Sequence, residues 1–186
     1  MSTRRDFLFS VLATAALPGA VGAAGFDRSN PVRVIAETAC ADARAFGGHF
    51  SLGKRTPSID PSNFLFSLER ELASERPTFV YGLTRESNRF LVEQCAGAYG
   101  YRRVYLGDHR YRKGGLLHCL EGGTTALDEL ARSFGRGPMR WTGILSQALP
   151  LLSRADPGTQ RLEVFAATRR PADSSGHLVS WLLRSA

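Results

Sequence analysis

Two short runs near the middle of the chain carry the side chains best suited to acid–base work and anion recognition. The first is Thr84-Arg85-Glu86-Ser87 and the second is Gly107-Asp108-His109. Each follows an apolar stretch with strand character, Thr78–Leu83 and Val104–Leu106. Arg85 offers a planar, permanently charged fork that matches carboxylate or phosphate, and His109 titrates near neutrality. Thr84–Ser87 also opens a helical pattern, and free N–H groups at a helix start favour an anion. If the two strands are parallel neighbours, they end on the same side about 5 Å apart. Ligands of open parallel sheets bind beyond such strand ends. Thr84, Arg85 and Ser87 are then expected to hold a ligand, with Asp108 and His109 as the catalytic pair. The competing reading is a capped helix: Thr84 caps, Glu86 complements the dipole, and Asp108 pairs with a nearby arginine.

Two further constellations are weaker. Glu121-Gly122-Gly123-Thr124-Thr125 lies at a strand-to-helix junction, but it lacks the length and the lysine of a phosphate-binding loop. It reads as a turn followed by a helix cap. His118-Cys119 sits on a strand opposite His109, and adjacent strand residues point to opposite faces. His118 and Cys119 therefore cannot act as a dyad with each other. A turn at Gly114-Gly115 pairs Tyr111 with His118, whereas a turn at Lys113-Gly114 pairs His109 with His118 and would begin a metal site. Glycine at both turn positions favours the first register, so no metal is expected. Tyr81, Tyr99, Tyr101, Tyr105 and Tyr111 cluster between residues 81 and 111 and read as core and sheet surface bordering the strand-end site.

The elements that must position these residues follow from periodicity. Asn30-Pro31 reads as a helix start, and Val32, Ile35, Ala36, Ala39, Ala43 and Phe46 follow one helical face up to Gly47-Gly48. Asp60-Pro61 begins a second helix with Phe64, Leu65, Leu68 and Leu72 on one stripe, ended at Glu75-Arg76-Pro77. Thr84 to Tyr99 forms a third, with Gly100 as its left-handed terminator and Leu91, Cys95 and Ala98 on its inner face. Leu127, Leu130, Ala131 and Phe134 mark a fourth helix, and Trp141 to Leu149 a fifth, stopped or kinked at Pro150. Leu162–Ala167 and His177–Leu183 read as strands joined by a polar loop. The expected architecture is a single mixed α/β sandwich over residues 24–186, with one βαβ unit and two hairpin-like strand pairs.

Composition limits the chemistry. The chain has 186 residues, three cysteines and a net charge of +7. Cys40, Cys95 and Cys119 are too few to hold an iron–sulfur cubane by themselves. No C-x-x-C occurs, so thioredoxin-like chemistry and covalent c-type haem are excluded. No G-x-S-x-G elbow is present. The sequence therefore names no cofactor.

The amino terminus supplies an address. Thr3-Arg4-Arg5-Asp6-Phe7-Leu8 precedes an apolar, Ala-rich run to Leu17, then Pro18 and the small residues Val21-Gly22-Ala23. This pattern resembles the bacterial twin-arginine (Tat) export signal, departing from it in Phe9 where lysine is usual. The run is too short to span a bilayer, and a signal of this kind is an address rather than an anchor. The resemblance implies a Tat-type signal peptide over residues 1–23, cleavage after Ala23, transit in folded form by the Tat translocase, and a periplasmic or secreted protein with no stable membrane span. Nucleic acid is disfavoured as a partner in that compartment. Two functions remain open. One is an exported accessory or binding protein, partner to an exported redox enzyme; the other is a small periplasmic enzyme acting on an anionic substrate around Arg85, Asp108 and His109.

Overall fold

The computed structural model describes residues 32–50, 64–136, 140–156 and 158–186. The Tat-type segment, the Asn30-Pro31 start and the Asp60-Pro61 start lie outside them. Within them the chain builds one mixed six-stranded sheet with helices on both faces. The strands are β1 (Val32–Ala36), β2 (Phe79–Thr84), β3 (Tyr101–Arg112), β4 (Gly115–Gly122), β5 (Gln160–Ala166) and β6 (His177–Ser185). The helices are α1 (Ala41–Gly48), α2 (Phe64–Ser74), α3 (Glu86–Gly97), α4 (Thr124–Arg136), α5 (Trp141–Gln147) and α6 (Leu149–Arg154).

The first element departs from expectation. The apolar positions between Val32 and Phe46 divide between a strand and a helix instead of lining one helix. β-branched Val32, Val34 and Ile35 suit a pleated strand, and β1 lies parallel to β2 with Ile35 opposite Gly82. Alternation sends Val34 and Ala36 into one core and Ile35 into the other.

Strand order is β1-β2-β6-β3-β4-β5. Among the described strands the only parallel pair is β1 with β2; every other neighbouring pair is antiparallel. The expected adjacency of β2 and β3 is therefore corrected. They run in the same direction, but β6 lies between them and pairs with both. The second hairpin-like pair is corrected as well: β5 pairs with β4 at the edge, while β6 takes a central place. β6 carries apolar side chains on both faces and is buried along most of its length, so both of its faces need cover that an edge position would not give.

Two cores result. On one face, Tyr81, Leu83, Tyr105, Leu116, Leu120, Leu178 and Leu182 pack with α1, α4, α5 and α6. On the other, Val80, Val179, Trp181 and Leu183 pack with Leu68 and Leu72 of α2 and Val92 and Ala96 of α3. Gly82 leaves the space filled by the Trp181 ring, since a Cβ there would come within 2.1 Å of it. Helix α3 buries Val92 and Ala96, while Leu91 is exposed and Cys95 half-buried. The inward stripe is thus one residue away from the expected Leu91–Cys95–Ala98. Gly100 does adopt the left-handed conformation, with φ of 83°.

Candidate functional site

The strand-end residues are held in place by Glu37, which the sequence reading passed over. Its carboxylate is nearly buried and lies just past the carboxyl end of β1. One oxygen accepts the backbone N–H of Arg85 at 2.9 Å and the side-chain amide of Asn88 at 3.0 Å. The other lies 3.0 Å from Arg85 Nε. The anion favoured at the start of α3 is thus a side chain of the chain itself. Arg85 and the helix dipole are both engaged by it, which leaves a capped and locked helix start.

Thr84 does not cap α3. Its hydroxyl accepts the Trp181 indole N–H at 3.1 Å and bonds the carbonyl of Arg85. Ser87 is exposed on the first turn. Asp108 receives a two-pronged contact from Arg110, at 2.8 Å to one oxygen, and lies 3.1 Å from His177 Nε2. Asp108 and Thr84 stand level in the sheet, each opposite Val179, with β6 between them. On the outer side of α3, Arg89 bonds Glu86 and Glu93, and its bonds to Glu86 hold that carboxyl below the usual range.

His109 stands on the opposite face from Asp108 and is buried. The two cannot act on one substrate, as strand alternation dictates. The hairpin register explains where His109 goes. β3 and β4 pair His109 with His118, Tyr111 with Leu116 and Arg112 with Gly115. The turn residues are therefore Lys113 and Gly114, and the expected Tyr111–His118 pairing is corrected. Only Gly114 takes a positive φ, 87°. Gly115 is glycine for a different reason: a Cβ would meet the Ala166 carbonyl of β5 at 2.4 Å.

This register builds a polar chain inside the first core. His109 Nδ1 and His118 Nδ1 are 2.7 Å apart, and His109 Nε2 lies 2.7 Å from Ser180 Oγ. Ser180 Oγ is in turn 3.0 Å from the Tyr105 hydroxyl. The His118 ring stacks on Phe134 at 4.0 Å between centroids, and His109 tilts against Trp141 at 4.7 Å. Burial drives the basicity of both histidines down, His118 to about 3. It also raises the Tyr105 phenol. A hydroxyl, a ring base and a second ring in line have the arrangement of an activated nucleophile. Packing forbids that use. Ser180 is fully buried, and a mere Cβ on Gly107 would come within 2.5 Å of its oxygen and 2.4 Å of the Tyr105 hydroxyl. No acyl group fits beside Ser180, so the chain is a structural network for which Gly107 leaves the room. Among the described residues no group of three or more His, Cys, Asp or Glu is arranged to hold a metal.

The glycines of the second constellation have a packing role. A Cβ on Gly123 would meet the Asp156 carbonyl at 2.5 Å, and Gly158 sits against the carbonyl of Gly122. They let the connection before β5 close onto the junction. A half-open groove of about 300 Å³ lies nearby, lined by Arg103, Leu106, Glu121 and Thr159 among others.

On the second face α3 reaches β3, where Arg103 pairs with Glu93 and Leu106 packs on the second core, but none of the described helices lies over β4 and β5. The side chains of this face form three rows across β3, β4 and β5: Leu106–Glu121–Arg161, Asp108–Cys119–Glu163 and Arg110–Leu117–Phe165. Phe165 is 54% exposed. Charges of both signs surround the apolar members, and Cys119 donates to Glu163 at 3.5 Å. Partial burial and the Glu163 carboxylate push the Cys119 thiol up. All three cysteines are free.

The chain matches no family model, no curated protein and no solved structure. Among the described residues no helix is long and apolar enough to cross a membrane.

Proposed function

We propose that this chain is an exported, non-catalytic binding protein that docks a protein partner on the face of β4 and β5 that none of the described helices covers. The carrying observation is that face itself. Leu106, Cys119 and Phe165 lie on a diagonal across the three strands, with Leu117 beside Phe165, between Arg110, Arg161, Asp108 and Glu163, all fixed by the strand register. An apolar centre with a charged rim is the anatomy of a protein interface. A rigid antiparallel sheet needs little ordering on association, which lowers the entropic cost of binding.

The Tat-type signal supports transit in folded form, and a partner carried through or met beyond the same translocase fits an exported redox enzyme. The alternative use of Arg85, Asp108 and His109 on an anionic substrate has no such support. Glu37 neutralises Arg85, and the other two residues stand on opposite faces.

The test is made in the producing bacterium with the full chain. Replacing Arg4 and Arg5 by lysine should leave the protein in the cytoplasm. In the exported wild type, an oxidoreductase should co-purify at a fixed stoichiometry. Phe165→Asp should abolish that complex while leaving the thermal midpoint unchanged. Retention of the complex in the Phe165→Asp variant would overturn the docking face.

A further inference from the structure

We propose that the His109–His118 pair is an acid-sensitive latch, which fastens the end of α4 at Phe134 and the start of α5 at Trp141 to the sheet while both rings are neutral and releases them when the pair takes up protons. The two rings have four nitrogens, and the number of protons on them sets the state of the latch. Two neutral rings carry two N–H groups between them. One sits on the Nδ1···Nδ1 axis, where the 2.7 Å separation requires a single shared hydrogen. A third proton leaves that bond intact but creates a cation in the core. A fourth puts a hydrogen on both Nδ1 atoms, so two donors face each other and the bond is lost.

The surroundings make the first of these steps costly. His118 Nε2 is buried and has no hydrogen-bond partner among the described residues. His109 Nε2 is engaged with the neutral hydroxyl of Ser180 on β6. Around the pair, β3 contributes Tyr105 and Tyr111, both phenols held protonated by burial. Phe134 from α4 and Trp141 from α5 are uncharged, and the Arg140 side chain at the start of α5 is exposed. His177 of β6 can only add repulsion toward His109. The carboxylate of Asp42 on α1 is taken up by Tyr111 and Ser174. Among the described residues no carboxylate bonds either ring, and an unpaired buried charge is strongly disfavoured.

What the pair fastens is equally defined. Phe134 closes α4 against the His118 ring, and Trp141 opens α5 against His109 and donates to the Tyr111 hydroxyl at 3.3 Å. Release of these two aromatics exposes both rings while the pairing of β1, β2 and β6 stays in place. Acid therefore acts locally before it acts globally.

The sign follows from linkage. Both rings are less basic folded than unfolded, so the unfolded or opened state binds more protons below the ordinary histidine value of about 6.5. Stability is full above that pH and falls as pH drops through it. With both rings contributing, the unfolding equilibrium constant should rise up to a hundredfold per pH unit below about pH 6.

The experiment follows hydrogen–deuterium exchange and chemical denaturation of the full chain between pH 7.5 and 5. Protection in residues 130–148 should fall, after correction for intrinsic rates, before protection in β2 and β6. In His118→Gln the pH slope should shrink by about tenfold per unit relative to wild type, which removes the background of ordinary carboxylates. Should that variant not fold, proton NMR of the wild type decides alone: the ring signals of His109 and His118 should not titrate in the folded protein between pH 7.5 and 5. Equal slopes in wild type and variant, uniform protection at pH 5, or ordinary titration of His109 and His118 would each overturn the latch.

Discussion

The carboxylate of Glu37 accepts the backbone N–H of Arg85 across 48 residues of sequence, and through that bond β1 holds the start of α3. The same oxygen takes Asn88 Nδ2, and the other faces Arg85 Nε. A glutamate supplied from a neighbouring strand replaces the local cap that α3 lacks. Glu37→Ala removes a charged acceptor from three donors and should cost about 1.5–3 kcal/mol. Glu37→Gln keeps one acceptor oxygen and should cost about half as much. Denaturant midpoints measure both, and indifference to the alanine substitution would show the bond to be idle.

Gly107 separates the polar chain from a steric conflict. A Cβ would lie 2.4 Å from the Tyr105 hydroxyl, 2.5 Å from Ser180 Oγ and 3.0 Å from His109 Nε2. Gly107→Ala should destabilise the fold by about 1–3 kcal/mol, as overpacking does. Gly135 meets nothing within 4 Å, so Gly135→Ala should leave stability unchanged or slightly raised. The pair of thermal melts distinguishes a packing requirement from a general intolerance of alanine for glycine.

The cysteines give a chemical check on the same geometry. Cys40 is buried, and burial with a nearby carboxylate pushes up the thiols of both Cys95 and Cys119. The thiolate is the nucleophile, so Cys95 and Cys119 should react slowly with alkylating reagents at pH 7 and faster as the pH rises, while Cys40, shielded by packing, should react only on unfolding. Mass spectrometry of native and denatured protein should count three free thiols per chain after unfolding, and rapid native labelling of Cys40 would contradict the packing of α1.

Much of the α/β organisation is legible from local pattern, and the failures have physical causes. The stripe Leu127, Leu130, Phe134 announces α4 and the apolar run from Trp141 announces α5, because 3.6-residue periodicity is a local property, whereas Pro150 opens a further helix, α6, instead of only ending one. β1 is hidden because five residues of β-branched strand and the helix after it together mimic one helical face. The hairpin register turns on one residue. Two adjacent glycines look alike in sequence, although Gly114 serves the turn and Gly115 makes room for the Ala166 carbonyl. That shift moves His118 from facing Tyr111 to facing His109 and creates the buried pair. The insertion of β6 between β2 and β3 is a long-range event, signalled only by how apolar β6 is on both faces. Glu37 carries no local signal at all, since its partners lie on a different strand and helix.

The central claim is that the uncovered face of β4 and β5 is the working surface. A photocrosslinking residue placed at Phe165 reports on it directly, with the same residue at Phe66 as control. Both phenylalanines are exposed, but Phe66 belongs to α2 and Phe165 to the open face. Irradiation of cells exporting the two variants should give one discrete heavier species, containing an exported oxidoreductase, from position 165 and none from position 66. A crosslink confined to position 66, or none at either, would contradict the account.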